Sequence, residues 1–369
     1  MFLGFILNAS AIVQTNRLMK RMDVRMVAVS NALGLLAGSV VAILLALRGA
    51  GAWAVVWQTI TLNGVKSLVL WLTSGWTPLM RFSMRSLRSF FKVGSAMMAT
   101  SFLNVLFQNI YSIFIGNRAG LAPLGYYTQA DKWSKMGISS LSQVLTSTFL
   151  PALSAVQTDS DRFRRISARM NRFTAYLLFP AMGLLAVAAT PVFHLLFGEK
   201  WDAAIPLFQL LLLRGIFTVL TGLYNNYLVA LAETKTVVAM ESLRDGSALL
   251  FLFVTLPWIS METPDDPVAG IKLLLWGQVG ASAIAWGVMA LKTSRILGRT
   301  AGSFIADNIP YLGLTIVTGA IMWAESLTIT APLLLLCVQG LTAITVYMGL
   351  NALLSSKIQS DVIAHLRHK

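Results

Sequence analysis

Apolar residues along this chain fall into blocks of about twenty, the length an α-helix needs to cross roughly 30 Å of hydrocarbon. Ten such blocks are predicted, at 26–47, 52–73, 93–116, 137–156, 173–197, 204–230, 236–258, 269–291, 306–324 and 331–353. Several show no polar stripe at the 3.6-residue period, so they lack the wet face a soluble helix keeps. Pro180 lies inside one block and Pro151 near the end of another; a membrane helix tolerates both where a neighbour re-satisfies the freed carbonyl. Ahead of these blocks, Met1–Val13 is apolar but rises only about 20 Å as a helix, too short to span. It ends in the small residues Ala9-Ser10-Ala11 without the basic stretch a signal peptide needs. The segment reads as the tail of a helix whose first half is absent. The pattern predicts an all-α, polytopic membrane bundle of about ten full spans plus a partial N-terminal helix.

The polar positions between the blocks alternate in charge. Arg17, Lys20, Arg21 and Arg25 fill the first connection; Arg81, Arg85, Arg88 and Lys92 the third; and Arg162, Arg164, Arg165, Arg169 and Arg172 the fifth. Lys235 lies in the seventh, Lys292, Arg295 and Arg299 in the ninth, and Lys357, Arg367 and Lys369 end the chain. The other connections hold only Arg48, Arg118, Lys132, Lys135 and Lys200, while Glu262, Asp265 and Asp266 share a loop with no base. By the positive-inside rule the basic set and the C-terminus are expected in the cytoplasm. In 77–92, Met80, Met84, Leu87 and Phe91 recur at helical spacing, with Arg81, Arg85, Arg88 and Lys92 one residue on. That spacing predicts an amphipathic linker lying in the headgroup plane.

Composition agrees with lipid as the solvent. Charged residues are 12% of the chain and apolar types 56%, where a soluble domain carries roughly 25% charge. The net charge of +14 is scattered in short runs, which argues for topology and against nucleic acid. A single cysteine, Cys337, excludes an intrachain disulfide, and His194, His365 and His368 have no metal-ligand spacing. No nucleophile stands near a base and no Gly-rich phosphate loop is present, so neither an enzymatic role nor a cofactor is expected.

Charges inside the blocks are the candidate functional residues. Glu241, Arg244 and Asp245 are spaced i, i+3, i+4 on one helix face, Arg214 sits well inside the preceding block, and Lys66 lies inside 52–73. Each isolated charge costs about 2.5–3.5 kcal/mol at mid-span, so a partner or a hydrated cavity is expected. Structural alternatives are a Glu241–Arg244 pair and snorkelling of Lys66 and Lys272 to the interfaces. Three uncharged stripes accompany the charges: Thr218, Thr221 and Asn225 in line with Arg214; Ser101, Asn104, Gln108 and Tyr111; and Thr59 and Asn63 in line with Lys66. They read either as a hydrated pathway or as hydrogen-bond glue between helices.

Four segments carry a resemblance. QNIYSIFIGNRAGLAPLGYYTQADKW at 108–133 resembles the region after the seventh helix of bacterial polysaccharide-repeat flippases, in the multidrug/oligosaccharidyl-lipid/polysaccharide exporter superfamily. AGAWAVVWQ at 50–58, FLPALSAVQTDSDRFRR at 149–165 and FGEKWDAAIPLFQLL at 197–211 are similar to that family's segments at the sixth helix, after the eighth, and between the ninth and tenth. The resemblance implies two helical lobes around a central cavity with alternating access. It also implies flipping of undecaprenyl-diphosphate-linked sugar repeats across the plasma membrane for O-antigen, capsule or exopolysaccharide, with a polysaccharide polymerase as a possible partner. Lys66, Arg214 and Arg244 would suit the diphosphate, and the stripes the sugars. Family members carry about fourteen helices, and this chain begins within what would be the fourth. The expected division is therefore 1–76 as an incomplete first lobe, 77–92 as linker, 93–355 as second lobe with extra helices, and 356–369 as a tail. Tyr111 stands where many members have an acidic residue, so no ion coupling is carried to it. A non-transporting remnant or assembly partner, and a cation-coupled exporter of small molecules, stay open as alternatives.

Overall fold

The computed structural model describes residues 2–21, 24–75, 83–263 and 266–354. Expectations resting on Arg81, Asp265, Lys357, His365, Arg367, His368, Lys369 and the 356–369 tail lie outside the described residues. Among the described residues, regular structure is helical, apart from one isolated Thr263–Asp266 bridge. The helices are α1 (Phe2–Ser10), α2 (Ile12–Lys20), α3 (Val24–Leu47), α4 (Ala52–Thr73), α5 (Met84–Arg118), α6 (Leu121–Ser154), α7 (Ser160–Val187), α8 (Ala189–Phe197), α9 (Ala204–Ala230), α10 (Thr234–Thr255), α11 (Ala269–Ile296), α12 (Ala301–Thr328) and α13 (Pro332–Leu353).

Every predicted block is helical, and the blocks at 52–73 and 204–230 coincide with α4 and α9. Among the described residues, six helices (α3, α7, α9, α11, α12 and α13) are long and apolar enough to cross a membrane by length and composition. Of the remaining predicted spans, α4, α6 and α10 are long enough but more polar, so a count of ten full spans is not confirmed on that measure. The N-terminal helix runs past Val13 as α2 to Lys20, with a break at Ala11, so Arg17 and Lys20 end a helix instead of filling a loop. Basic connections elsewhere are helical too. α7 starts at Ser160, capped by the Asp159 carboxylate accepting from the Arg162 N–H at 2.9 Å, and buries Phe163, Ser167 and Met170 while Arg162, Arg165 and Arg169 face out. Met84–Lys92 is helical and continuous with the span that follows it in α5, a 35-residue helix; residues 77–82 lie outside the described set.

Two compact units are formed, one up to Met98 and one from Ala99 onward. In the first, α3 packs on α4 through Gly34 and Gly38. A Cβ on Gly34 would lie 2.7 Å from the Leu62 carbonyl oxygen, and one on Gly38 would lie 2.9 Å from that of Gln58. Two glycines four apart let the backbones approach to a separation no larger residue permits, which is how helices associate where lipid offers no hydrophobic drive.

In the second unit, α9 is the centre, packed by α6, α7, α10 and α11. Leu207, Leu211, Leu212, Tyr224, Tyr227 and Leu228 of α9 are fully buried. Pro180 shows how a helix interior absorbs a missing donor. Its ring removes the N–H that would bond the Tyr176 carbonyl one turn earlier; the Tyr347 hydroxyl of α13 donates to that carbonyl instead, at 2.9 Å. Pro191 marks the break between α7 and α8, where the Gln209 amide of α9 donates to the Ala186 carbonyl at 2.9 Å.

Candidate functional site

A polar layer crosses the second unit at one depth. At 1.5 Å per residue, Tyr111 lies about 10 Å from the end of α5, Asp131 about 15 Å from the start of α6, and Arg214 about 15 Å from the start of α9. Asp245 lies about 15 Å from the end of α10, and Gln278 about 14 Å from the start of α11. Because successive helices reverse direction, these ends face the same way. Two of the five, Asp131 and Asp245, come from α6 and α10, helices whose polarity sets them apart from the clear spans.

Arg214 is the hub. Its Nη1 donates to Gln278 Oε1, its Nε is buried without a partner, and Gln278 Nε2 is likewise buried and unsatisfied. The Tyr111 hydroxyl lies within electrostatic reach of Arg214 and Asp245, and donates to the Ala248 carbonyl of α10 at 3.1 Å. Tyr127, buried on α6, is within reach of Arg214, Asp131 and Tyr111. Asp131 pairs with Lys135 at 2.6 Å, one turn on, and keeps its Oδ1 buried without a partner. Among the described residues no carboxylate stands within ion-pair distance of Arg214. A guanidinium held by a neutral amide retains its full charge and unused donors, which is the chemistry that receives a phosphate or carboxylate.

The other candidates divide. Thr218 bonds back to the Arg214 carbonyl at 3.1 Å and Thr221 is buried, so that part of the stripe is internal packing. Asn225 donates to Glu241 at 3.3 Å, which joins the α9 stripe to the α10 charges. The Glu241–Arg244 pair expected as the structural alternative does not form. Arg244 instead meets its neighbour Asp245 at 3.0 Å, because Asn225 on the facing helix takes up Glu241. Lys272 pairs with Asp266 at 2.6 Å at the start of α11, in keeping with an interfacial role. Lys66 belongs to the first unit, half-buried beside Gly34 of α3, with no ion-pair partner among the described residues. Its stripe is packing: Thr59 and Asn63 bond within α4 and face Gly4 of α1, and Ser67 meets Ser10 at 2.8 Å. The side chains of Asn104 and Gln108 lie outside the described residues; Ser101 is exposed.

Sequence reasoning missed Gln278, Tyr127 and Asp131. Lys132 and Lys135 were placed in a connection, but α5 and α6 are separated only by Ala119 and Gly120, so both lysines and Asp131 sit inside a helix. The i, i+4 Asp131–Lys135 spacing was the available signal. A second network was also missed. Asp307 of α12, nearly buried, accepts from Arg172 at 3.1 Å and from Arg299 at 3.0 Å, and Arg299 stacks 4.8 Å from the Phe304 ring.

Known proteins agree with this architecture. The chain resembles a solved lipid II flippase in an inward closed conformation, with a TM-score of 0.64 over 90% of this chain and 68% of that one, at 14% identity. At that identity the likeness concerns the fold. A succinoglycan biosynthesis transport protein of Rhizobium meliloti is 27% identical over 54% of this chain and 41% of its own length. A teichuronic acid biosynthesis protein of Bacillus subtilis is 26% identical over 48% and 37% respectively. A lipopolysaccharide biosynthesis protein of Escherichia coli is 26% identical over 42% and 32%. The chain thus matches well under half the length of these relatives. The sequence model described as polysaccharide biosynthesis protein matches residues 1–206. More than half of its length fits that pattern, so this multi-pass α-helical membrane protein belongs to the polysaccharide biosynthesis protein family.

Proposed function

We propose that the chain takes part in translocating lipid-linked oligosaccharide units across the bacterial plasma membrane, with undecaprenyl diphosphate as the lipid anchor. The observation that carries the reading is Arg214: a cation at mid-depth in a helix bundle whose guanidinium, among the described residues, bonds only to a neutral amide. Such a group is expensive in a membrane unless it serves an anion, and a diphosphate supplies one. Asn225, Thr218, Glu241, Arg244 and Asp245 lie along α9 and α10 from that point toward the opposite end of the bundle and would contact the sugars. Lys66, in the first unit, is proposed as a further candidate cation for an anionic substrate. The relatives' printed roles in polysaccharide transport and biosynthesis support the same class of cargo.

The basic connections and the C-terminus are proposed to be cytoplasmic, since 20 of the 29 Lys and Arg residues fall on that side. A polysaccharide polymerase, which consumes the translocated unit, is proposed as the functional neighbour on the other side.

The test uses membrane vesicles carrying the native chain, Arg214→Ala or Arg214→Lys, with outer-leaflet sugar repeats counted by lectin. Loss of charge-assisted hydrogen bonds is worth about 1.5–3 kcal/mol, so Arg214→Ala is expected to slow flipping roughly tenfold or more while insertion is unchanged. Arg214→Lys keeps the charge but not the planar fork, and should fall between. Flipping by Arg214→Ala at the native rate would remove Arg214 from the site; no flipping by the native chain above an empty-vector control would defeat the proposal.

A further inference from the structure

At the end of the second unit toward which α8 and α12 run, a cavity of about 620 Å³ opens between α7–α8, α9 and the α12–α13 hairpin. Its size is that of an ordinary small-molecule site. It lies away from the Arg214 layer: Gln209, its contribution from α9, is five residues before Arg214 and points to a different helix face. No Lys, Arg, Asp or Glu lines it. The polar groups that do are Thr190, His194, Gln209, Ser326 and Thr330, joined by the indole of Trp323, which is 61% exposed.

These groups are oriented by their neighbours. The Gln209 amide nitrogen is committed to the Ala186 carbonyl, so its oxygen is the atom left to accept. The Ser326 hydroxyl donates to the Trp323 carbonyl at 2.6 Å, which leaves its lone pairs for an incoming donor. His194 Nε2 meets Asp202 Oδ1 at 2.7 Å, which fixes the ring plane. The lining therefore offers acceptors and neutral hydroxyls around a flat aromatic surface. A phosphate would find no cation here, and an acyl chain would strand five polar side chains. A polyol with one apolar C–H face fits both halves of the lining.

We infer that this cavity is a saccharide subsite, taking neutral sugar residues through stacking on Trp323 and hydrogen bonds to Gln209, His194 and Ser326. Every one of these residues lies within about 10 Å of the end of its helix, on the side of the Arg214 layer away from Asn225 and Glu241. The inference deepens the proposed function, resting on it for the source of the sugar but not for the chemistry of the pocket.

The experiment separates the two. The full chain in nanodiscs is mixed with maltotriose, raffinose or chitotriose, and saturation-transfer NMR reads magnetisation passed to the sugar protons. Transfer is expected for at least one trisaccharide, falling fivefold or more in Trp323→Ala and Gln209→Leu and partly retained in Trp323→Phe. Helicity and elution profile are checked for each variant, and Trp323→Phe keeps the test decisive should Trp323→Ala misfold. No transfer from any of the three sugars, equal transfer in Trp323→Phe and Gln209→Leu, or displacement by glycerophosphocholine would each overturn the assignment. Sugar binding without flipping would leave the subsite standing and defeat only the transport reading.

Discussion

Removing the Tyr347 hydroxyl tests the account of Pro180 directly. In Tyr347→Phe the ring keeps its contact with Tyr176, centroids 5.7 Å apart, and only the O–H that serves the Tyr176 carbonyl is lost. Both tyrosines are nearly buried, 4% and 8% exposed, so water cannot easily replace the donor. A buried acceptor left unsatisfied costs about 1–3 kcal/mol, while interhelical bonds within membranes average about 0.6 kcal/mol; the expected loss is about 1–2 kcal/mol. The diagnostic step is the second background. Pro180→Ala restores an N–H that can bond the Tyr176 carbonyl within α7, so Tyr347→Phe should there cost less than about 0.5 kcal/mol, a coupling that a double-mutant cycle isolates. Unfolding of each variant by sodium dodecyl sulphate in mixed micelles, followed by circular dichroism, gives the four free energies. Equal losses in both backgrounds would show that the hydroxyl does not substitute for the proline's missing donor.

Three further perturbations probe the packing of the two units. Asp307→Leu leaves Arg299, whose side chain is 12% exposed, without its carboxylate; the same titration should show a loss of about 3 kcal/mol, with most of it recovered when Arg299→Met is added. Gly34→Val drives a Cβ to 2.7 Å from the Leu62 carbonyl oxygen and should cost about 1–3 kcal/mol, seen as faster proteolysis of the first unit. Gly64→Ala, whose Cβ would meet only Leu7 at 3.6 Å, should be neutral or mildly stabilising.

The helices were legible because a span declares itself by length and apolarity, and α4 and α9 came out with the predicted ends. Their junctions were less so. Lys132, Lys135 and the five arginines from 162 to 172 look like loop residues by charge, yet each continues a helix whose other face is apolar, and charge alone does not report that face. Within the site, Arg214 was visible as a lone cation in a leucine-rich run, and Glu241 and Asp245 by their spacing. Gln278 was not. An uncharged amide in an apolar block carries no mark of its role, and the 64 residues separating it from Arg214 are closed only by the packing of α9 on α11. The Glu241–Arg244 expectation erred because an i, i+3 pair competes with whatever the facing helix offers, and Asn225 offered more.

The long sequence gap between Arg214 and Gln278 has a bearing on how the protein is made. At a synthesis rate of roughly 5–20 residues per second, about 3–13 s elapse between the emergence of the two from the ribosome. Through that interval α9 must enter lipid with its guanidinium unmatched by α11, and the leucines at 210–213 are what make the transfer favourable in the meantime. The nascent chain is thus committed to the bilayer by its oily flank first, and the charge finds its amide only after two more rods have arrived.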